Sequence, residues 1–491
     1  MGRKGTTWRK GAGLLALSLL SMVTSGATPT RTWAYPGAIV IDGKFADWDA
    51  LLGSAHTAAD LAVADSGRFL YFHFRLPQEA ILQGTSDAVL LLDADADAAT
   101  GRRAFGIGAD VEWRFGARSG TRHAGAQRIG LHPADIGLVT APTVSARRFE
   151  LALELGARPG DTVLFTGRRI RAVLTTVQAL LHGSGDSRRV AYRLGARSVP
   201  EPERAMLERA AARHLRVMNY NVEHDGLFDL DRQPAYQRIF SAVRPDVVGF
   251  QEVAKNNTAG IATLLDEWLP RRGGRRWHAS AAAGDAAVAS RFPISKTWLI
   301  TPGVDAYRID TRSFLASEML VVVVSLKCCE DPAGQRRRQI DAILGFWRDA
   351  LSPGSTVTLP PDTPIVMIGD MNLVGDAQEL HALRTGTPFD SVSGGPPFDP
   401  DWDGSALTDL RPLHADLPMA YTWRRDNSSG NFSPGRLDFV FFTDSVLTPR
   451  NRFVLHTPSM TGRRRRAYGL RRGDTVRASD HLPLIADFAL R

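Results

Sequence analysis

The chain has 491 residues, too many for one hydrophobic core, and its 44% hydrophobic and 23% charged content excludes a disordered or fibrous polymer. Net charge is +8, from 60 basic against 52 acidic residues, a balance that suits an anionic partner such as nucleic acid or a phospholipid headgroup but equally fits an Arg-rich soluble protein. The only two cysteines, Cys328 and Cys329, are adjacent, which excludes a disulfide framework and leaves a structural zinc short of ligands.

In chain order, Arg3, Lys4, Arg9 and Lys10 precede an apolar run from Ala12 to Val23 and the small residues Ser25-Gly26-Ala27. A basic head, a short apolar centre and small residues describe a secretory signal peptide over residues 1–34, so we expect a secreted or periplasmic protein. The run is shorter than the roughly 20 residues a spanning helix needs, so no stable membrane anchor is expected. Residues 38–196 carry short strand-like runs, Phe69–Leu76, Ala88–Asp93 and Phe149–Leu155, bounded by turn residues, and predict an all-β sandwich. Within it Asp93, Asp95 and Asp97 alternate before Thr100-Gly101, a spacing open to two readings: a solvated acidic turn, or a structural Ca²⁺ site. Residues 197–213 look like a linker that becomes a short helix.

From residue 214 to residue 491 the pattern changes to apolar strands alternating with helical stretches such as Gln335 to Leu351, which implies layered α/β architecture. Four strands end in polar residues able to hold a metal. Met218-Asn-Tyr-Asn-Val222 presents Asn221, and Asp246-Val-Val-Gly-Phe-Gln-Glu-Val253 presents Gln251 and Glu252. Ile365-Val-Met-Ile-Gly-Asp-Met-Asn372 presents Asp370 and Asn372, and Ala478-Ser-Asp-His-Leu-Pro483 presents Asp480 and His481. Each alone is weak; their shared place just past an apolar run is what gives them weight. Oxygen ligands without cysteine point to Mg²⁺, Mn²⁺ or Ca²⁺, and metal, carboxylate and imidazole together suit hydrolysis of a phosphate ester. The basic run Arg463 to Arg466 reads as a solvated loop, with phosphate contact as the sharper alternative.

Here the chain resembles the endonuclease/exonuclease/phosphatase superfamily, which includes deoxyribonuclease-like nucleases, sphingomyelinases and inositol phosphatases. The resemblance rests on ordered matches: Asn221-Val222, Gln251-Glu252, Gly369-Asp-Met-Asn372, Arg436-Leu-Asp-Phe439 and Ser479-Asp-His-Leu-Pro483. It implies a four-layered α/β sandwich, two packed β-sheets flanked by helices. It further implies that Glu252 is the main metal carboxylate, bordered by Asn221 and Asp480. Asp370 would orient or deprotonate the attacking water, Asn372 steady the phosphate, and His481 contact phosphoryl oxygens in a tautomer held by Asp438.

One departure stands out. Family members usually carry a His-Leu at the end of the central strand, and Ser325-Leu326 occupies that place in Leu320-Val-Val-Val-Val-Ser-Leu-Lys327. Serine is no general acid at neutral pH. Lys327, two residues on, would share its side of a continuing strand and could neutralise phosphate charge, as could Arg424. The function expected is therefore an exported, metal-dependent phosphodiesterase or nuclease with a substituted acid. The alternatives are a sphingomyelinase-like lipid phosphodiesterase, an inositol-phosphate phosphatase, or a phosphate- or glycan-binding protein that has lost catalysis. Cys328 and Cys329 read as small buried hydrophobes, with a bond between them or between molecules as alternatives. The segment Val40-Ile-Asp-Gly-Lys-Phe-Ala-Asp-Trp48, the Asp93 loop and Gly108-Ala-Asp-Val-Glu112 resemble family-9 carbohydrate-binding modules, which implies a glycan or calcium contact. Trp48, Tyr71 and Trp113 could stack on a sugar but fit a β core better. An accessory domain that positions or stabilises the catalytic one is expected.

Overall fold

Alternating side chains along each strand decide how the layers stack. In the computed structural model, which describes Gly2 and residues 37–53, 60–253, 257–328, 333–425 and 432–491, Val217, Val247 and Ala486 face one core while Met218, Val248 and Ile485 face another. The same split holds in a second sheet, where Val321, Val323 and Val366 join the first core and Val322, Val324 and Met367 an outer one. Successive strand residues point to opposite faces, so strands apolar on both faces must be covered twice. The two sheets cover each other on the shared side.

The first of these sheets runs His278–Ser280, Ala287–Ser290, Val247–Gln251, Leu215–Asn221, Leu484–Leu490, Leu447–Val454. The second runs Ile294–Thr301, Val304–Ile309, Met319–Ser325, Ile365–Asp370, Asp438–Phe442, Thr408–Leu410. Helices Gln233–Val243 and Thr258–Trp268 cover the first sheet through Tyr236, Ile239, Phe240, Leu265 and Trp268. Helices Ala333–Leu351 and Ala377–Thr385 cover the second through Ile340, Leu344, Trp347 and Leu383. The result is the four-layered α/β sandwich. Leu215–Asn221 lies parallel to Val247–Gln251, and Met319–Ser325 parallel to Ile365–Asp370, so the polar residues that end these strands gather at one edge.

Before this, residues 60–196 form two larger sheets and a small two-stranded one, Arg102–Ala104 with Ile107–Ala109. A four-stranded one holds Phe69–Ala80 and Ala146–Glu154, and a six-stranded one holds Ala88–Asp93 and Arg169–Thr176; both pack around Phe72, Phe74, Leu90, Trp113 and Phe149. Trp48, Tyr71 and Trp113 are all core residues, and no exposed aromatic appears among the described residues. The β-sandwich shares its core with the α/β layers. Ile39, Ile41, Trp48 and Tyr71 belong to the same hydrophobic cluster as Val217 and Val321, and Tyr35–Arg491 forms one compact unit.

Three expectations need correction. Residues 201–214 contain no helix: Pro200 and Pro202 oppose one, Leu207 is fully buried, and the carbonyls of Met206 and Leu207 accept from Asn451 and Arg216. The arginine run is not a loop but the helix Gly462–Ala467, started by Thr461, whose side chain accepts from Arg464 N. Cys328 is half-buried and disulfide-bonded, not a buried free thiol; Cys329 and the expected leader sequence lie outside the described residues. No described helix is long and apolar enough to cross a membrane.

Candidate active site

Asn221, at the end of its strand and fully buried, spends its amide nitrogen on two carboxylates: Glu252 Oε1 at 2.9 Å and Asp370 Oδ2 at 3.1 Å. These acids come from different sheets, so Asn221 is the stitch between them. Gly369 lets the Asp370 strand approach its neighbour, since a side chain there would strike the Val324 carbonyl. Asn372 donates its backbone N–H to Asp370 Oδ1 at 3.1 Å and its side chain to the Leu326 carbonyl at 3.0 Å, which turns the chain back over the strand ends.

His481 Nδ1 stands 2.8 Å from Asp438 Oδ2, and its Nε2 lies 3.6 Å from Asp370 Oδ2. Asp438 Oδ1 accepts from Asn219 at 3.0 Å, and Asn219 Oδ1 accepts from Gln251 at 2.9 Å. Thr422 Oγ1 accepts the Asp438 N–H at 2.9 Å and the Leu437 N–H at 3.0 Å, fixing that strand's entry. With its Nδ1 committed to Asp438, the imidazole aims Nε2 at Asp370. Burial opposes charge on His481, yet the Asp438 carboxylate, and then Asp370, lift its pKa to about 10. Burial raises Asp370 to about 7, partly offset by the His481 cation.

The ligand-capable atoms of Glu252, Asp370 and His481 all lie within 4.8 Å of one another. Two carboxylates this close, bridged by one neutral amide, are a donor set that a hard divalent cation satisfies. Within that group the carboxylates of Glu252 and Asp370 are the anionic holders, and the His481 Nδ1 is already engaged by Asp438. Asp480 Oδ2 accepts from Trp423 Nε1 at 3.0 Å and pairs with Arg425 at 3.2 Å; it is not one of the three residues whose ligand atoms lie within 4.8 Å of one another. Arg424 Nη1 donates to the Tyr421 hydroxyl at 3.0 Å; Arg425 is the arginine paired with Asp480 and, at 3.6 Å, with Glu223.

The central strand ends at Ser325, so Lys327 is not on a continuing strand as supposed; it is exposed. Ser325 Oγ donates to Asp285 Oδ2 at 3.2 Å. Asp285 was not foreseen, and nothing local marks it, a lone acid within Ala281-Ala-Ala-Gly-Asp-Ala-Ala287. Burial raises its pKa, and Glu252 adds to that. His224 was also missed: its backbone N–H donates to Glu252 Oε2 at 2.9 Å and its ring stands 3.3 Å from the same oxygen. Asn219 could have been found, since it stands two residues before Asn221 and shares its face. Glu223, His224, Asp225, Glu252 and Asn372 all adopt left-handed backbone, a concentration of strain of the kind found at functional sites.

A second acid group lies in the β-sandwich. Asp93, Asp95 and Asp110 bring carboxylate oxygens within 4.8 Å of one another; Asp97 instead caps its own turn, accepting from Ala99 N at 2.9 Å. Asp110 joins because its strand runs beside that of Asp93, a pairing no sequence spacing reveals.

Residues 218–481 match the profile of the Endonuclease/Exonuclease/phosphatase family. No curated protein matches the chain. Among solved structures it is similar to D. rerio TDP2 complexed with a single-strand DNA product, at 18% identity over 56% of this chain and 98% of that one, TM-score 0.36. The human Nocturnin catalytic domain with bound sulfate aligns at 15% identity over 57% and 96%, TM-score 0.36. ANGEL2, a 2′,3′-cyclic phosphatase in complex with adenosine-2′,3′-vanadate, aligns at 16% over 56% and 95%, TM-score 0.37.

Proposed function

The chain belongs to the endonuclease/exonuclease/phosphatase family of phosphate-ester hydrolases, and from that premise we propose that it is an exported, divalent-metal-dependent phosphodiesterase with a living active site. The observation that carries this reading is the unbroken chain Glu252–Asn221–Asp370–His481–Asp438, every link at hydrogen-bond or near-contact distance. A protein that had lost catalysis would have no need to keep a buried Asp–His pair aimed at two acids.

A cation held by Glu252 and Asp370, Mg²⁺ by preference with Mn²⁺ or Ca²⁺ as substitutes, would supply positive charge at a phosphoryl oxygen. The protein's own residues do the rest. Asp370, sharing the cation with Glu252, would orient the attacking water beside it. Protonated His481 presents Nε2–H to a phosphoryl oxygen and stabilises the charge that grows there, while Asp438 fixes its tautomer and direction. Asn221 keeps the two carboxylates in register. At the leaving-group side Ser325 and Asp285 stand where an imidazole would be expected, with Lys327 adding positive charge nearby.

The test is hydrolysis by the mature protein of plasmid DNA, RNA, sphingomyelin, inositol phosphates and a small aryl phosphodiester, each with Mg²⁺, Mn²⁺, Ca²⁺ or chelator. Metal-dependent turnover of a diester supports the reading. A folded, metal-binding protein that cuts none of them contradicts it. Export rests on the basic, apolar and small-residue pattern of residues 1–34, and N-terminal sequencing of the secreted product tests it.

A structural Ca²⁺ at Asp93, Asp95 and Asp110 is the matching proposal for the β-sandwich. Asp93 Oδ1 is fully buried with no hydrogen-bond partner, an orphaned oxygen that a cation would satisfy. Millimolar Ca²⁺ should raise the unfolding midpoint of the parent and leave Asp110→Asn unmoved; equal midpoints with and without Ca²⁺ would remove the site.

A further inference from the structure

The stretch leading into His481 carries more positive charge than its surroundings neutralise. Between Thr461 and Ala478 stand Arg463, Arg464, Arg465, Arg466, Arg471, Arg472 and Arg477, with Asp474 as the single acid. The structure divides these arginines into two sets. Arg464 turns inward to Asp416 at 2.8 Å and the Ala415 carbonyl at 3.2 Å, and Arg465 donates to the Thr457 and Met460 carbonyls. Those two anchor the helix Gly462–Ala467 to the body. Arg463, Arg466, Arg471, Arg472 and Arg477 are exposed, and among the described residues none of their guanidinium groups has an ion-pair partner. Asp474 offers none, being buried and paired with Arg238 at 2.7 Å.

This basic shoulder is tied to the catalytic edge. The helix Asp474–Ala478 packs on Gln233–Val243, with the Tyr236 hydroxyl donating to the Ala478 carbonyl at 2.7 Å. The next residue, Ser479, donates to the Asn221 carbonyl at 2.9 Å and accepts from His481 N at 3.0 Å. Arg477 is thus four residues from His481 on a segment pinned at both ends.

We propose that these five exposed arginines bind the backbone of a nucleic-acid strand whose scissile phosphodiester lies at His481. The proposal rests on the phosphodiesterase reading and goes further by naming a polymeric substrate. Guanidinium groups match phosphate geometry, and a row of them releases counterions from a polyanion in a way no single small ester can reward. Contact through phosphate carries no sequence information, so binding should be independent of sequence. A bilayer is the poorer partner, since Val476 is the only exposed large hydrophobe between Thr461 and Ala478.

The test measures binding without turnover. A labelled single-stranded oligonucleotide is titrated with the full mature protein in chelator across a salt series, beside the combined variant Arg463→Ser, Arg466→Ser, Arg471→Ser, Arg472→Ser, Arg477→Ser. The expected result is at least about tenfold weaker binding by the variant, with a log–log salt slope smaller by about 3, from roughly 0.7 per lost phosphate contact. The corresponding Arg→Lys variant should keep most of the slope, and equal unfolding midpoints exclude misfolding. Hydrolysis of a small aryl phosphodiester is followed in parallel. If no protein cuts the small ester but arginine-dependent strand binding persists, the phosphodiesterase reading fails and the surface stands. Unchanged affinity and slope in the serine variant overturn the surface. So does arginine-dependent binding to phosphatidylserine-containing vesicles without binding to the oligonucleotide.

Discussion

Asp438 accepts from Asn219 on one oxygen and from His481 on the other, so its charge is aimed at the imidazole from a fixed position. Because His481 is raised to about 10 against an ordinary 6.5, the stabilisation from this pair is complete below about pH 6.5 and is lost as pH rises through about 10. Replacing Asp438→Asn keeps the shape and removes the charge. We expect the alkaline limb of kcat/KM to fall from near pH 10 towards neutrality, with kcat at pH 7 lower by about 10²–10⁴; an unmoved limb would mean that His481 is not the titrating group. Ser325 invites the opposite change. Ser325→His would place an imidazole beside Asp285, and kcat should rise about tenfold with a new limb near pH 7. A fall in rate, with the fold intact, would show that serine is part of a working arrangement and not a gap.

At the scale of elements, the sandwich touches the catalytic loops directly. Thr143 Oγ1 donates to the Leu373 carbonyl at 3.0 Å and lies 3.3 Å from the Arg436 carbonyl, one residue past Asn372 and two before Asp438 respectively. Ser145 N donates to the Gly375 carbonyl at 2.7 Å, and Ser433 Oγ meets Thr140 Oγ1 at 2.8 Å. These contacts are what the proposal that the sandwich positions its neighbour rests on. Thr143→Val should cost about 1 kcal/mol of stability and lower kcat severalfold with little change in KM; a change in stability alone would reduce the contact to packing. The strands that end at Asn221, Glu252 and Asp370 were legible because an apolar run closed by an acid or amide is a local pattern. The seam between Asn219 and Asp438, and the place of Asp285, were not, because they depend on which strands lie opposite across two sheets. The helix expected after residue 200 followed composition in Glu, Arg and Ala. Burial of Leu207, and the use of the segment's carbonyls by Arg216 and Asn451, won over that propensity.

Across the whole molecule, one hydrophobic cluster runs from Ile39 and Tyr71 of the N-terminal part to Val217, Val321 and Phe488 of the catalytic part. The two regions therefore should unfold together. A single calorimetric transition is expected, and two separated transitions would contradict the shared core. Acid should weaken it. His414 and His456 are buried with ring centroids 5.3 Å apart; burial holds His414 down to about 3 and His456 well below its ordinary value. The unfolded chain binds these protons from about pH 6.5 downward, so stability is full above 6.5 and falls towards pH 3, by up to about 1.4 kcal/mol per pH unit for each histidine. His414→Phe should flatten that slope in urea titrations at pH 7 and pH 5.

The claim that the strand-end acids form a working metal-dependent centre is met most directly by one comparison. Turnover of a small aryl phosphodiester is measured for the parent and for Glu252→Ala, each with Mg²⁺ and with chelator. We predict turnover by the parent that vanishes in chelator and returns with Mg²⁺, and a folded variant at least about a thousandfold slower than the parent with Mg²⁺. Equal rates for parent and variant, or a parent rate indifferent to chelator, would contradict it.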